Sequence, residues 1–353
     1  MVVLINDSEK SSSEVKAVNE ETLEKLQQWK LNHDNEHLIV HPVYVPSVDA
    51  RHAGAGMARK IGMDEIVRRF SDLDRPDGVI VSLDADCLVS ENYLQVIEKT
   101  FASAKSCFAA TLNFSHRIDE VTDSRLRQGI RFYEDYLHYY KRAHDYTGFP
   151  NSIYTIGSAF AVRADAYIKQ GGMNRRQAGE DFYFLNKLTS LGKLNEIANV
   201  FVYPSARTSD RVPFGTGAAM TKWMKSEDDL SLTYNFAAFA DLKTLFDQVD
   251  LLYRIAGTDY QSFKSKLPRP ILRYMQFIHF DDKLMEINQN SSSSETFRKR
   301  FFQFFDAFVI MRFLNISHQD DYPQQDLYEA IGQLNNYLAH ILPDSTGHFS
   351  TER

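Results

Sequence analysis

The chain has 353 residues, of which 43% are hydrophobic and 13% aromatic, and its formal net charge is −7. That length accommodates a full α/β domain and a smaller partner around a sizeable core, and the negative balance excludes nucleic acid as a partner for the surface at large. Cys87 and Cys107 are the two cysteines, too few for a disulfide framework and without metal-ligand spacing, which fits a reducing compartment.

Val2–Ile5 reads as a strand ending at Asn6-Asp7-Ser8, with no basic region or cleavage site of a signal peptide around it. A helix follows through Val15, Val18, Leu23, Leu26 and Trp29, and Leu38–Val40 with Val43–Val45 suggests a second strand. His52-Ala53-Gly54-Ala55-Gly56 then leads into a helix carrying Met57, Ile61, Ile66, Val67 and Phe70. Arg75-Pro76-Asp77-Gly78 is a turn signal, and Gly78–Leu83 reads as a short buried strand. Helices are expected at about Asn92–Phe101 and Asp123–Asp145, a strand over Ile153–Val162, and a helix over Ala164–Lys169 stopped by Gly171-Gly172. This alternation predicts a mainly parallel sheet covered on both faces. After Gly217 the pattern turns helical, over Phe236–Ile255, Glu295–Leu314 and Tyr328–Leu342, with Ser291–Ser294 read as a flexible loop. Residues 1–217 are thus expected to form an α/β domain and 218–353 a helical C-terminal region. No run reaches the ~18 consecutive apolar residues of a membrane span, so a cytoplasmic protein without a transmembrane segment is expected.

The most informative residues are Asp84 and Asp86, at the end of the Gly78–Leu83 strand. Side chains i and i+2 share one side of an extended segment, and ligands of open α/β sheets bind at the carboxyl ends of strands. Two hard oxygen donors there suit Mg²⁺ or Mn²⁺ carrying a phosphorylated substrate, whereas the plain reading is a strand-ending turn with two solvated aspartates. Glu180 and Asp181 follow Gly179 at the start of an apolar-periodic stretch through Phe182, Phe184, Leu185 and Leu188. Acidic residues are favoured in a first helical turn by the unpaired N–H groups alone. Paired with Asp84 and Asp86, one site can hold metal and diphosphate while the other takes a proton from a hydroxyl.

Gly54 and Gly56 before Arg59 allow the backbone close to a phosphate at a helix N-terminus, although the dinucleotide fingerprint is absent because Arg59 stands where its third glycine would be. Arg175-Arg176, Arg207 and Arg211 offer guanidinium forks for phosphate oxygens, or line a salt-bridged surface loop. Tyr133, Tyr136, Tyr139, Tyr140 and Tyr146, with His138 and His144, read as a packed helix face in preference to a sugar-stacking surface.

The order of these motifs (Asn6-Asp7-Ser8, the glycine turn with Arg59, Asp84-Ala85-Asp86, Gly157, Gly171-Gly172, Glu180-Asp181) resembles the family-2 glycosyltransferases of the GT-A fold, over about residues 1 to 217. The resemblance implies a Rossmann-like mixed sheet and inverting transfer of a sugar from a nucleotide-sugar donor to an acceptor hydroxyl on a carbohydrate, lipid or protein. It implies that Asp86 and Asp84 hold a divalent cation, Mg²⁺ or Mn²⁺, and that Asp181, beside Glu180, is the general base. Asp7, Gly54, Gly56 and Arg59 would lie near the nucleotide, with Arg207 and Arg211 on the diphosphate. Two departures stand out. Members begin with one further strand and a Pro-x-Tyr-Asn-Glu loop, so the chain reads as N-terminally truncated relative to the family. A histidine that completes the metal shell in many members is replaced here by the Arg207, Ser209 and Arg211 region. The rival readings are a non-catalytic or impaired nucleotide-sugar-binding paralogue, and an Asp-x-Asp phosphatase, which Leu88 and Gly179-Glu180-Asp181 fit poorly.

Overall fold

The computed structural model describes residues 1–177, 179–210 and 214–341, and the chain divides into two compact units. The first comprises 1–130 and 153–228, the second 131–152 and 229–353, so residues 131–152 group with the helical C-terminal part instead of the α/β part. The whole is a mixed α/β protein.

In the first unit, β1 (Val2–Ser8) and β2 (His41–Val48) pair in parallel as a two-stranded sheet of their own, connected by α1 (Ser13–His33). Ser12 caps α1 by accepting the Val15 N–H, yet no α1 side chain is fully buried, and Val18 is 59% exposed. The apolar stripe that predicts the helix is therefore largely presented to solvent. Next come α2 (Ala55–Asp72), β3 (Val79–Ser82), β4 (Leu88–Val89), α3 (Tyr93–Ser103) and β5 (Ala109–Phe114). The long α4 (Ser124–Thr147) precedes β6 (Phe160–Arg163), α5 (Ala164–Lys169), α6 (Glu180–Leu188), β7 (Asn195–Tyr203) and α7 (Thr216–Met224).

The main sheet has the order β3-β6-β5-β7-β4. Only β5 and β7 run in parallel; β3–β6, β5–β6 and β4–β7 are antiparallel, which corrects the expected mainly parallel sheet. Strand–helix alternation fixes neither neighbour nor direction when consecutive strands are separated in the sheet, and none of the consecutive pairs β3/β4, β4/β5 or β6/β7 is adjacent here. The expected strand over 153–162 is likewise shorter, starting at Phe160, because Ala159 closes a turn by donating to the Ile156 carbonyl at 2.9 Å.

Both faces of this sheet are covered, which is why Val79-Ile80-Val81 shows no polar alternation. Ile80, Phe160 and Val162 pack with Met63 of α2, Tyr167 of α5 and Phe184 of α6. Ala110, Leu112, Ala161 and Val202 pack on the other face with Tyr93, Ile97 and Phe101 of α3. The two edge strands, β3 and β4, are joined by residues 83–87 alone. In a flat sheet four inter-strand spacings would set them about 19 Å apart, more than a connection containing a turn spans, so the sheet curls and lays Asp84 and Asp86 across its strand ends.

The second unit is helical apart from the β8 (Leu232–Thr233) and β9 (Gln325–Asp326) pair. Its helices are the later part of α4, α8 (Phe236–Phe246), α9 (Gly257–Ser265), α10 (Arg269–Phe277), α11 (Phe280–Gln289), α12 (Ser294–Phe304), α13 (Ala307–Asp320) and α14 (Leu327–Ile341). Its core is aromatic: Phe301 lies within 6.4 Å, centroid to centroid, of Phe246, Phe280, Phe297, Phe302 and Phe305. Tyr139, nearly fully buried, meets Phe239 edge-on, so the tyrosine-rich helix is a packed face as expected. The serine run is a tight helix junction and not a flexible loop: Ser291 is buried with its hydroxyl on the Ile287 carbonyl, and Ser293 caps α12. No helix among the described residues is long and apolar enough to cross a membrane.

Candidate functional site

Leu83 leaves the strand, and the Cys87 N–H donates to the Asp84 carbonyl at 3.1 Å, so Asp84–Cys87 is a turn and not the extended segment expected from i, i+2 alternation. The turn still brings the two aspartates together and adds a third donor: ligand atoms of Asp84, Asp86 and Cys87 all lie within 4.8 Å of one another. Cys87 carried no expected role; its position directly after Asp84-Ala85-Asp86 is the signal that would have found it. Burial pushes the Cys87 thiol up to about 11, with the Asp84 and Asp86 charges acting in the same sense.

Arg59, from the second turn of α2, joins this turn to the start of α6. One guanidinium nitrogen donates to Asp84 Oδ1 at 2.6 Å and the other pairs with Glu180 Oε1. The Arg59 and Glu180 side chains are 13% and 3% exposed, whereas Asp84 keeps 46% of its side chain open. A buried carboxylate of this kind requires a partner, because an unpaired charge in a low-dielectric interior is strongly disfavoured. Glycines make the approach possible. A Cβ at Gly157 would run into the Arg59 guanidinium, and one at Gly54 would stand 2.7 Å from the Gln177 carbonyl oxygen. At Gly56 it would collide with the Arg176 carbonyl. The glycine turn is therefore packed against the loop that delivers Glu180 and Asp181, a use that the spacing alone did not reveal.

Asp181 lies in the first turn of α6, after Gly179 in a left-handed conformation with φ of 71°. Burial pushes its carboxyl above the usual range, opposed by the Arg59 guanidinium and the Phe182 N–H and aided by the Asp84 charge. Asp181 thus shares one electrostatic neighbourhood with Asp84 and Arg59, and it is not used as an ion-pair partner by Arg59 as Glu180 is. At the opposite side of the turn, Arg207, just beyond β7, donates through Nη2 and Nε to Asp86 Oδ2 at 2.7 and 2.9 Å.

Asp7 is buried and committed locally. Its oxygens accept from the Ser47 N–H at 2.8 Å, the Tyr44 hydroxyl at 2.5 Å and Asn19 Nδ2 at 3.3 Å, which ties β1, β2 and α1 together. These hydrogen bonds outweigh its burial and hold the carboxyl below its ordinary range. Arg211 falls outside the described residues. Arg176 lies over the Tyr183 ring, with its guanidinium carbon 3.5 Å from the centroid. The structure therefore assembles Arg59, Asp84, Asp86, Glu180, Asp181 and Arg207 with Gly54 and Gly56 at one end of the curled sheet. No protein-family model matches the chain, and no curated protein matches it.

Proposed function

We propose that this chain is a glycosyltransferase of the GT-A type, moving a sugar from a nucleotide-sugar donor to an acceptor hydroxyl with inversion at the anomeric carbon. The observation that carries the reading is that Asp84, hydrogen-bonded to Arg59, and Asp181, whose carboxyl feels the Arg59 and Asp84 charges, share one electrostatic neighbourhood although remote in sequence. Two carboxylates with different surroundings divide naturally into a ligand-holding and a proton-accepting role.

Asp84 and Asp86 present hard oxygens at a spacing one divalent cation can span, so these two residues would hold Mg²⁺ or Mn²⁺, with the Cys87 thiol beside them contributing no hard oxygen. Bound there, the cation would supply positive charge to a departing nucleotide diphosphate. Arg59 holds Asp84 in place from the buried side. Asp181 accepts the proton of the acceptor hydroxyl while that oxygen bonds to the anomeric carbon and the bond from that carbon to the diphosphate oxygen breaks. Burial raises its carboxyl above the usual range, which favours proton acceptance, and general base catalysis of this kind contributes about 10²–10⁴-fold.

Asp181→Asn is therefore expected to lower nucleotide release from a turned-over donor by about that factor, with donor affinity unchanged in calorimetry. The measurement is a screen of uridine, guanosine and thymidine diphosphate sugars with Mn²⁺ and varied acceptors, read by released nucleotide. Near-normal turnover by the variant would overturn the assignment. A second reading, a protein that binds nucleotide-sugars without turning them over, draws on the arginines that already neutralise both aspartates. It predicts a calorimetric donor signal with no nucleotide released from any donor and acceptor pair.

A further inference from the structure

We infer that Arg207 is a built-in competitor for the divalent cation at Asp86, and that it transfers to the donor's diphosphate once the cation binds. The inference rests on the glycosyltransferase reading and deepens it by assigning an order of events at the same turn.

Two arginines hold the two aspartates, and they differ in kind. Arg59 is 13% exposed and is fixed from its other side by the buried Glu180, so it cannot leave without stranding a charge. Arg207 and Asp86 are 50% and 41% exposed, and among the described residues Asp86 is the carboxylate that Arg207 pairs with. Both of its donating nitrogens fall on the same oxygen, Asp86 Oδ2, and neither takes Oδ1. A fork that used both oxygens would be the stronger pair. The geometry is that of a replaceable counter-charge with one carboxylate oxygen left for an incoming ion.

The backbone beside it is anchored while the side chain is long. The Ser209 N–H donates to the Gly217 carbonyl and to Thr221 Oγ1, both at 3.0 Å, which pins the segment to the first turns of α7. A guanidinium displaced from Asp86 therefore stays within its own side-chain length of the turn. A cation held by Asp84 and Asp86 would bring a diphosphate to that place, and a diphosphate is the better partner for a guanidinium fork. Cation binding and the Arg207–Asp86 pair thus oppose one another through the charge of a single carboxylate, whereas cation binding and an Arg207–diphosphate contact would reinforce one another.

The test uses the full chain and two probes, Mn²⁺ alone and inorganic pyrophosphate in saturating Mn²⁺, each titrated by calorimetry at low ionic strength. Exposed ion pairs are weak, so Arg207→Ala is expected to tighten Mn²⁺ alone by about two- to fivefold. The same variant is expected to weaken pyrophosphate by about tenfold or more, the loss of a charge-assisted contact. Arg207→Lys, which keeps the charge, should stay within about twofold of the parent for Mn²⁺ and show an intermediate loss for pyrophosphate. An Arg207→Ala protein whose Mn²⁺ affinity is unchanged or weaker, or whose pyrophosphate affinity is retained, overturns the inference, as does the absence of Mn²⁺ binding in parent and variant alike. Opposite shifts for the two probes with no nucleotide-sugar turned over would leave the Arg207 exchange standing and sink the glycosyltransferase reading.

Discussion

The two units handle buried polar groups in opposite ways. In the first, buried Glu180 is given an ion-pair partner, because Arg59 is delivered to it through a glycine-lined approach, and the same guanidinium reaches out to the open Asp84. In the second, His144 is buried among Tyr140, Phe149 and Phe239, and burial pushes its imidazole down to about 3, so it is neutral. Its Nε2 finds no hydrogen-bond partner among the described residues. Asp241, also buried, is served by the Tyr322 hydroxyl at 2.9 Å, and burial pushes its carboxyl up to about 6. The first unit pairs its buried carboxylate with a guanidinium, and the second leaves His144 and Asp241 without a counter-charge among the described residues, so burial shifts them toward their neutral forms.

The largest expected effects test each half of that contrast. Phe301→Ala empties the centre of the ring cluster in the second unit and is expected to cost about 3–5 kcal/mol in denaturant unfolding. Arg59→Met strands Glu180 in the first unit and is expected to cost about 3–5 kcal/mol as well. Adding Glu180→Leu to Arg59→Met should recover most of that loss, because an apolar pair of similar volume replaces a buried ion pair at little cost. Should the double variant be no more stable than Arg59→Met, Glu180 would be doing something other than balancing the guanidinium.

A smaller effect probes the second unit by pH. The native Asp241 carboxyl, at about 6, lies above the value of about 3.9 for an unfolded aspartate. The native state therefore binds the proton more tightly, and the favourable contribution present below pH 4 is lost as pH rises through 6. Asp241→Asn is expected to be more stable than the parent by about 1–3 kcal/mol at pH 7.5 and to lose that advantage at pH 4. A stability difference that does not change with pH would show that Asp241 is not the group responsible.

Much of the local structure was legible from residue patterns. The helices over 93–103, 124–147 and 164–169 follow from apolar spacing and stop signals, whereas the cap at Ser293 was hidden in a serine run that reads as a loop. The aspartates at the end of β3 and the acids opening α6 were legible as candidates because chemistry restricts which residue types can serve there. Less visible was the burial of the α1 stripe, which a period of 3.6 predicts and the fold does not supply.

The amino-acid order by itself determined many of the helices, that carboxylates stand at the ends of two elements, and that an aromatic-rich helical part follows, whereas the expected strand at 153 starts at Phe160 and the expected helices over 236–255 and 295–314 are each broken in two. Only the tertiary structure decided the sheet order and direction, because backbone pairing between distant strands leaves no mark on either strand alone. It also decided the partners of the arginines. Asp84 with Arg59 and Asp86 with Arg207 are separated by 25 and 121 positions in the chain, and only the folded sheet brings such charges within hydrogen-bonding distance.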